Sequence, residues 1–93
     1  MRTSQITREK ALELLKKYNK ETFHLEHALT VEAVMAWLAE KRGYGEEKEY
    51  WAITGLLHDI DFEKYPDKHL EHTPRILEEA GVGEDMIRSI VSH

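Results

Sequence analysis

The sequence predicts an all-α domain of about five helices, and two observations lead to this fold class. Apolar residues recur with helical spacing through most of the chain, and no segment shows the alternation of a half-buried strand. With 93 residues, the chain can bury one small hydrophobic core. We therefore take residues 1–93 as a single compact domain.

Local signals delimit the first three helices. The first follows Thr7, a candidate N-cap, and places on one face Ala11, Leu14, Leu15 and Tyr18. The second is expected over about residues 21–41 and ends before Gly43. Its apolar stripe carries His24, His27, Val31, Val34 and Leu38. The third is expected over about residues 46–59.

Two shorter helices complete the predicted bundle. Thr73 and Pro74 mark the start of the fourth, with the threonine as N-cap and the proline in its first turn. Glu84 and Asp85 open the fifth, where acidic side chains face the positive end of the helix. If the domain continues beyond His93, the apolar face of this helix is left uncovered, and homo-oligomerisation is one way to cover it.

The composition excludes several function classes. A net charge of −5 with mixed signs argues against binding to nucleic acid or to an anionic membrane surface. No apolar run approaches the ~20 residues that cross a bilayer, and the first ten residues lack a secretory signal. Because the chain has no cysteine, neither disulfides nor thiolate metal sites are available, and a cytoplasmic location is expected.

The segment GLLHDIDFEK, residues 55–64, carries the strongest chemical signal. His58 and Asp59 end an apolar helix, where ionisable groups are costly unless something binds them. Gly55 lies on the same face and would let the helix that carries His27 approach closely. Imidazole and carboxylate together suit divalent metal ions. Two alternatives stay open at this stage: core histidines bonded to backbone carbonyls, and an ion pair at the helix end.

The order of these residues resembles the HD-domain superfamily of metal-dependent phosphohydrolases. The resemblance rests on four segments in sequence, EHALTVEAVMAWLA, GLLHDIDFEKYPDKH, RILEEAG and IRSIVSH, between residues 25 and 93. It implies an HD-like helical bundle in which His27, His58 and Asp59 bind a first metal ion. In members with two ions, Asp59 would bridge to a second ion held by His69 and His93. His72, one helical turn from His69, is the alternative to it.

The resemblance also implies a reaction. One or two divalent ions, with Fe, Mn, Zn, Co, Ni and Mg not distinguished, would activate a water against a small phosphorylated substrate, a nucleotide being one option. Asp59 and Lys64 are the residues expected to act in catalysis, the lysine by contacting phosphate oxygens.

One departure from the family pattern weighs on this interpretation. The family has a last aspartate ligand on a further helix, and this sequence ends at His93, so the C-terminal part of the domain is expected to be lacking. Asp61 is a conceivable substitute, although orienting His58 or facing the loop suits it better. The departure favours a second interpretation, an inactive metal-binding domain with a regulatory or interaction role. A third is a helical scaffold whose histidines only satisfy polar groups of the core.

Overall fold

A computed structural model describes residues 6–64 and 71–91, and every regular element in these ranges is helical. The predicted all-α fold is confirmed. The helices are α1 (Arg8–Tyr18), α2 (Thr22–Lys41), α3 (Lys48–Leu57), α4 (Thr73–Glu79) and α5 (Glu84–Val91), with a short 3-10 turn at Gly45–Glu47 before α3. Within the described ranges, no helix has both the length and the apolar character that a membrane span requires.

Most helix ends are where the sequence places them. The hydroxyl oxygen of Thr7 accepts the backbone N–H of Lys10 at 3.2 Å and so caps α1. Gly43 and Gly81 follow α2 and α4 with φ of 85° and 87°, the left-handed conformation that ends a helix at little cost for glycine. The third helix is shorter than expected, because the chain turns from His58 to Lys64 instead of continuing to Asp59.

The start of α4 differs from the prediction. His72 occupies the N-cap position, and Thr73 is already the first helical residue. The cap comes from a distance: a carboxylate oxygen of Asp61 accepts the backbone N–H of His72 at 3.2 Å. The Thr73 side chain is fully buried, and among the described residues its hydroxyl has no hydrogen-bond partner. A carboxylate from the turn after α3 thus holds the residue that precedes α4, and the N-cap role predicted for Thr73 is wrong.

The core lies between α3 and the four other helices. Its fully buried large side chains come mainly from α3, α4 and α5: Ile53, Leu56, Leu57, Ile60, Ile76, Leu77, Met86 and Ile90. The apolar face of α5 is therefore covered by the domain itself, contrary to expectation. The exposed apolar side chains of the long helix are instead on the outside of α2, and include Phe23, Val34 and Trp37.

The packing of α2 against α3 depends on Gly55. A Cβ atom at this position would lie 2.8 Å from Cγ of Met35 and 2.9 Å from the carbonyl oxygen of Val31, closer than real Cβ contacts. Ala28 and Ala39 are the two fully enclosed side chains of α2. The absence of a side chain at residue 55 therefore lets the two helices approach, as the sequence predicted.

We expect Gly55→Val to destabilise the domain by about 2–3 kcal/mol, because the new side chain overlaps the backbone of α2 as well as a flexible side chain. Gly45→Val is the matched control, since nothing lies within 4 Å of the Cβ position there. Urea unfolding followed by circular dichroism measures both. Equal stability of the two variants would contradict close packing at Gly55.

Candidate metal centre

Three side chains meet beside the close contact of α2 and α3. His27 comes from the first half of α2, and His58 and Asp59 begin the turn that follows α3. Oδ2 of Asp59 lies 3.1 Å from Nε2 of His58 and 3.5 Å from Nε2 of His27. One ligand atom from each residue lies within 4.8 Å of the others, so the group can hold a metal ion.

The backbone of α3 fixes the orientation of His58. Its Nδ1 lies 2.6 Å from the carbonyl oxygen of Gly55, an acceptor that the end of the helix leaves available. Since a carbonyl only accepts, Nδ1 carries the proton, and Nε2 is directed at Asp59. A backbone carbonyl on the far nitrogen is the usual way in which proteins set the tautomer of a metal-binding histidine.

The charge of Asp59 changes the protonation of His58. Burial alone lowers the pKa of His58, but hydrogen bonds to Asp59 and to the Gly55 carbonyl, together with the negative charge of Asp59, outweigh burial and raise it. Without a metal, a protonated His58 can donate to both acceptors. A cation at Nε2 would take the place of one proton, so metal binding here competes with protons.

His27 is more exposed than the sequence indicated. We expected it on the buried stripe of α2, yet 54% of its side chain is accessible to solvent. Its neighbour Ala28 is the buried residue at this point of α2, and Val31 and Met35 make the contact with α3, so His27 lies at the edge of the helix contact. The imidazole rings of His27 and His58 still lie 5.5 Å apart, centroid to centroid.

The distances within this cluster fit a divalent ion. Ligand atoms at ~2.0–2.2 Å from one ion are separated by about 3.0–3.6 Å when they occupy neighbouring coordination positions. The two distances to Asp59, 3.1 and 3.5 Å, fall in this range. The ligand atoms of His27 and His58 lie within 4.8 Å of each other, and the exposed His27 side chain has room to adjust.

The remaining predicted site residues are distributed differently. His69 and His93 lie outside the described residues, so a second ion stays a prediction.

His72 packs at the start of α4, where its Nδ1 is 3.2 Å from Nη2 of Arg75. Asp61 is fully buried and bound to the backbone of His72, so it acts as a structural link. Lys64 extends its ammonium group over the ring of Tyr18, 5.3 Å from the centroid, and its catalytic role stays a prediction.

Sequence analysis missed Glu63, which connects the site to the start of α2. Its two carboxylate oxygens accept the backbone N–H groups of Lys20 at 2.8 Å and Glu21 at 3.0 Å, and Nδ1 of His24 at 2.8 Å. Partial burial raises the pKa of Glu63, but these three hydrogen bonds and the charge of His24 lower it more. The bonds span about forty residues of sequence, so no local pattern signals them.

We expect Glu63→Gln to lower stability at pH 7 by about 1–2 kcal/mol, because charge-assisted bonds at the start of a helix are lost. A carboxyl group whose pKa is lowered by folding stabilises above its unfolded pKa, about 4.3, and loses this effect as pH falls through its folded pKa. The difference in unfolding free energy between wild type and Glu63→Gln should therefore become smaller below about pH 4.

Denaturant unfolding from pH 3 to 8 measures this difference, with Glu26→Gln on the exposed side of α2 as the control. If the loss of unfolding free energy in Glu63→Gln is the same at every pH, ionisation of Glu63 adds nothing to the stability of the protein.

Comparison with protein families agrees with the geometry of the cluster. The sequence matches the family model described as HD domain over residues 24–93, which is well over half of the chain and includes His27, His58 and Asp59. Comparison with curated proteins and with solved structures gives no significant match. The match confirms the resemblance to metal-dependent phosphohydrolases of the HD superfamily. With its three candidate ligands grouped at one site, this chain belongs to the HD domain family.

Proposed function

We propose that the protein is a metal-dependent phosphohydrolase that acts on a small phosphorylated molecule. The observation that supports this proposal is the group of His27, His58 and Asp59 in a chain of the HD domain family, whose members are generally hydrolases. A site with three protein ligands leaves coordination positions for water and substrate, which is the arrangement of catalytic and not structural metal sites.

A divalent ion held by His27, His58 and Asp59 would supply Lewis acidity, which would lower the pKa of a bound water toward 7 and neutralise charge on a phosphoryl group. Residues of the chain position the ligands for such an ion and keep the site accessible. Gly55 fixes the ring of His58 through its carbonyl group, and Asp59 contributes the negative charge that draws a cation between the two helices. His27, being exposed, leaves the site open to substrate from the solvent side.

The second candidate is an inactive metal-binding domain with a regulatory or interaction role. Among the described residues, the grouped ligands suffice for one ion, whereas hydrolysis by a water held between two ions needs a second ligand set. Metal would then stabilise the protein without turnover. The experiments below distinguish the two candidates.

We expect Mn²⁺, Co²⁺ or Fe²⁺ at 100 times its dissociation constant to stabilise the protein by about 2.7 kcal/mol, or on the order of 10 °C in Tm. His27→Gln should abolish most of this shift while changing the metal-free Tm little, because the side chain is largely exposed. Glu26→Gln, an exposed acid one residue away, should keep the full shift. Calorimetric scans with and without chelator provide the measurement, and an unchanged shift in His27→Gln would place the metal elsewhere.

We expect the metal-loaded protein to release inorganic phosphate from members of a panel of phosphomonoesters and diesters. Asp59→Asn should lower kcat/KM at least about 100-fold, the upper range found for residues that only support a ligand. Asp85→Asn, in the exposed first turn of α5, serves as the control. Metal binding without turnover of any substrate would reject the phosphohydrolase in favour of the second candidate.

A further inference from the structure

The long helix α2 carries apolar residues on two of its sides. On the inner side, Val31 and Met35 face α3. A second set is turned to solvent, since Phe23, Val34 and Trp37 are 72%, 48% and 57% exposed. A surface helix of a globular protein has one apolar stripe and is polar on its other sides. The second apolar side of α2 is therefore a feature that the packing of this domain does not explain.

The exposed residues form one continuous stripe. Phe23, Thr30, Val34, Trp37 and Lys41 follow one another at intervals of seven, four, three and four residues, and all five are exposed. Residues three, four or seven apart lie on the same side of a helix. We call these five residues the outer stripe of α2. It runs from the first turn to the last residue of the helix and ends with Nζ of Lys41 at 5.9 Å from the ring centroid of Trp37.

The outer stripe is separate from the candidate metal centre. His27 borders the stripe on the side of α3, and its Nε2 lies 3.5 Å from Oδ2 of Asp59. Its ring is 5.5 Å from that of His58, centroid to centroid. The imidazole is thus directed toward the other two candidate ligands. The aromatic and aliphatic side chains of the stripe supply no metal ligand, so the proposed chemistry does not account for their exposure.

The size and shape of the outer stripe suit a protein partner. A helix surface is convex, so a small molecule would touch it on one side only and stay largely hydrated. A helix of twenty residues is about 30 Å long, and pairing along its whole length buries on the order of 600 Å² on each partner, or about 1,200 Å² in total, the lower limit of specific, stable interfaces. Tryptophan and phenylalanine, both present here, are enriched in interface cores.

The charges along α2 favour a second copy of the same helix in the antiparallel direction. Glu26, three residues after Phe23 and four before Thr30, flanks the stripe near its start, and Lys41 ends it. The two charged residues are equally far from the midpoint between residues 33 and 34. A two-fold axis at that midpoint therefore places Glu26 of each copy near Lys41 of the other. Parallel pairing would instead bring like charges together, which is unfavourable.

The two other acids of α2 are already neutralised within the chain. Glu32 pairs with Arg8 at 2.7 Å, and Glu40 pairs with Lys48 at 2.8 Å. Neither acid therefore brings an uncompensated negative charge to a second copy.

We infer that the outer stripe is a homodimer interface, in which α2 of two copies pair antiparallel around a two-fold axis near residues 33 and 34. The same axis sets Thr30 opposite Trp37, a small side chain opposite a large one. Two-fold dimers are the commonest symmetric oligomers, and their interfaces are self-complementary in this way. The inference does not depend on the proposed function. It moves the homo-oligomerisation expected from the sequence from α5 to α2.

Sedimentation equilibrium of the full 93-residue chain tests the interface. We expect wild type to approach twice the 10.9 kDa of one chain at about 100 µM, well above the micromolar Kd of the weaker interfaces of this class. Trp37→Glu should raise Kd at least about 100-fold, because tryptophan dominates interface energetics and the change acts twice in a symmetric dimer. Leu29→Glu is the matched control, since Leu29 is an exposed apolar residue of the same helix, roughly 100° around the helix from Thr30. It should keep the dimer.

Reversal of charge tests the direction of the two helices. Lys41→Glu or Glu26→Lys should each raise Kd about tenfold, because two ion pairs become two repulsive pairs. The double variant with both changes keeps the net charge of the chain and should recover the Kd of wild type. In a parallel dimer, each single change would replace one like-charged pair by another and leave Kd unchanged.

Circular dichroism establishes that each variant keeps its helix content, and the outcomes then decide the inference. A wild type that stays monomeric overturns it, and so does a dimer that survives Trp37→Glu or that is lost equally in Leu29→Glu. A dimer lost in Trp37→Glu and kept in Leu29→Glu supports it. Single charge reversals that leave Kd unchanged overturn the antiparallel arrangement, and recovery in the double variant supports it.

Discussion

The close approach of α2 and α3 at Gly55 is the constraint on which the candidate site depends. The missing side chain lets Val31 and Met35 pack directly against α3, and this contact brings His27 within reach of Asp59. The carbonyl group of the same glycine binds Nδ1 of His58 and turns Nε2 toward that carboxylate. One residue therefore sets both the distance between the two helices and the orientation of a ligand, so the packing of the core and the chemistry of the site cannot be altered separately there.

The turn after α3 adds a second level of organisation, because its three alternate carboxylates bind three different partners. Asp59 faces the histidines, Asp61 is buried and holds the start of α4, and Glu63 holds the start of α2. Asp59 reaches back to His27 on α2, Asp61 forward to His72, and Glu63 back to Lys20 and Glu21, so the turn is joined to three other segments. Since backbone N–H groups at a helix start carry partial positive charge, two of the carboxylates are stabilised without a metal. Glu63 also pairs with one imidazole, that of His24, whereas Asp59 lies between the imidazoles of His27 and His58, which are ligands for the same cations as a carboxylate. Of the three carboxylates, Asp59 therefore belongs to the candidate metal centre, and Asp61 and Glu63 hold the chain segments around it.

The sequence predicted the features that depend on local patterns. Helical periodicity identified the elements, and the apolar run ending in His58 and Asp59, with Gly55 one turn earlier, located the site. The sequence-based predictions failed where a residue contacts a partner that is distant in sequence. Thr73 has the residue type of an N-cap, but the helix begins one residue earlier than predicted, and Asp61 holds His72 in front of it through the tertiary fold. His27 shares a helical face with apolar residues, yet its exposure depends on how far the neighbouring helix extends, which spacing along one helix does not determine. The contacts of Glu63 likewise follow from the fold alone.

The unexpected exposure of His27 follows from its place on α2. The side chains of α2 that meet α3 at Gly55 are Val31 and Met35. His27, with 54% of its side chain exposed, lies beside this contact and not within it. A candidate site at the edge of a helix pair differs from one enclosed in a core, because an ion held there by His58 and Asp59 would stay accessible to solvent on the side of His27. Structural metal sites are closed by protein ligands, whereas catalytic sites keep a position open. The tight packing that makes this centre possible therefore also leaves it open, and that combination favours a catalytic role over a structural one.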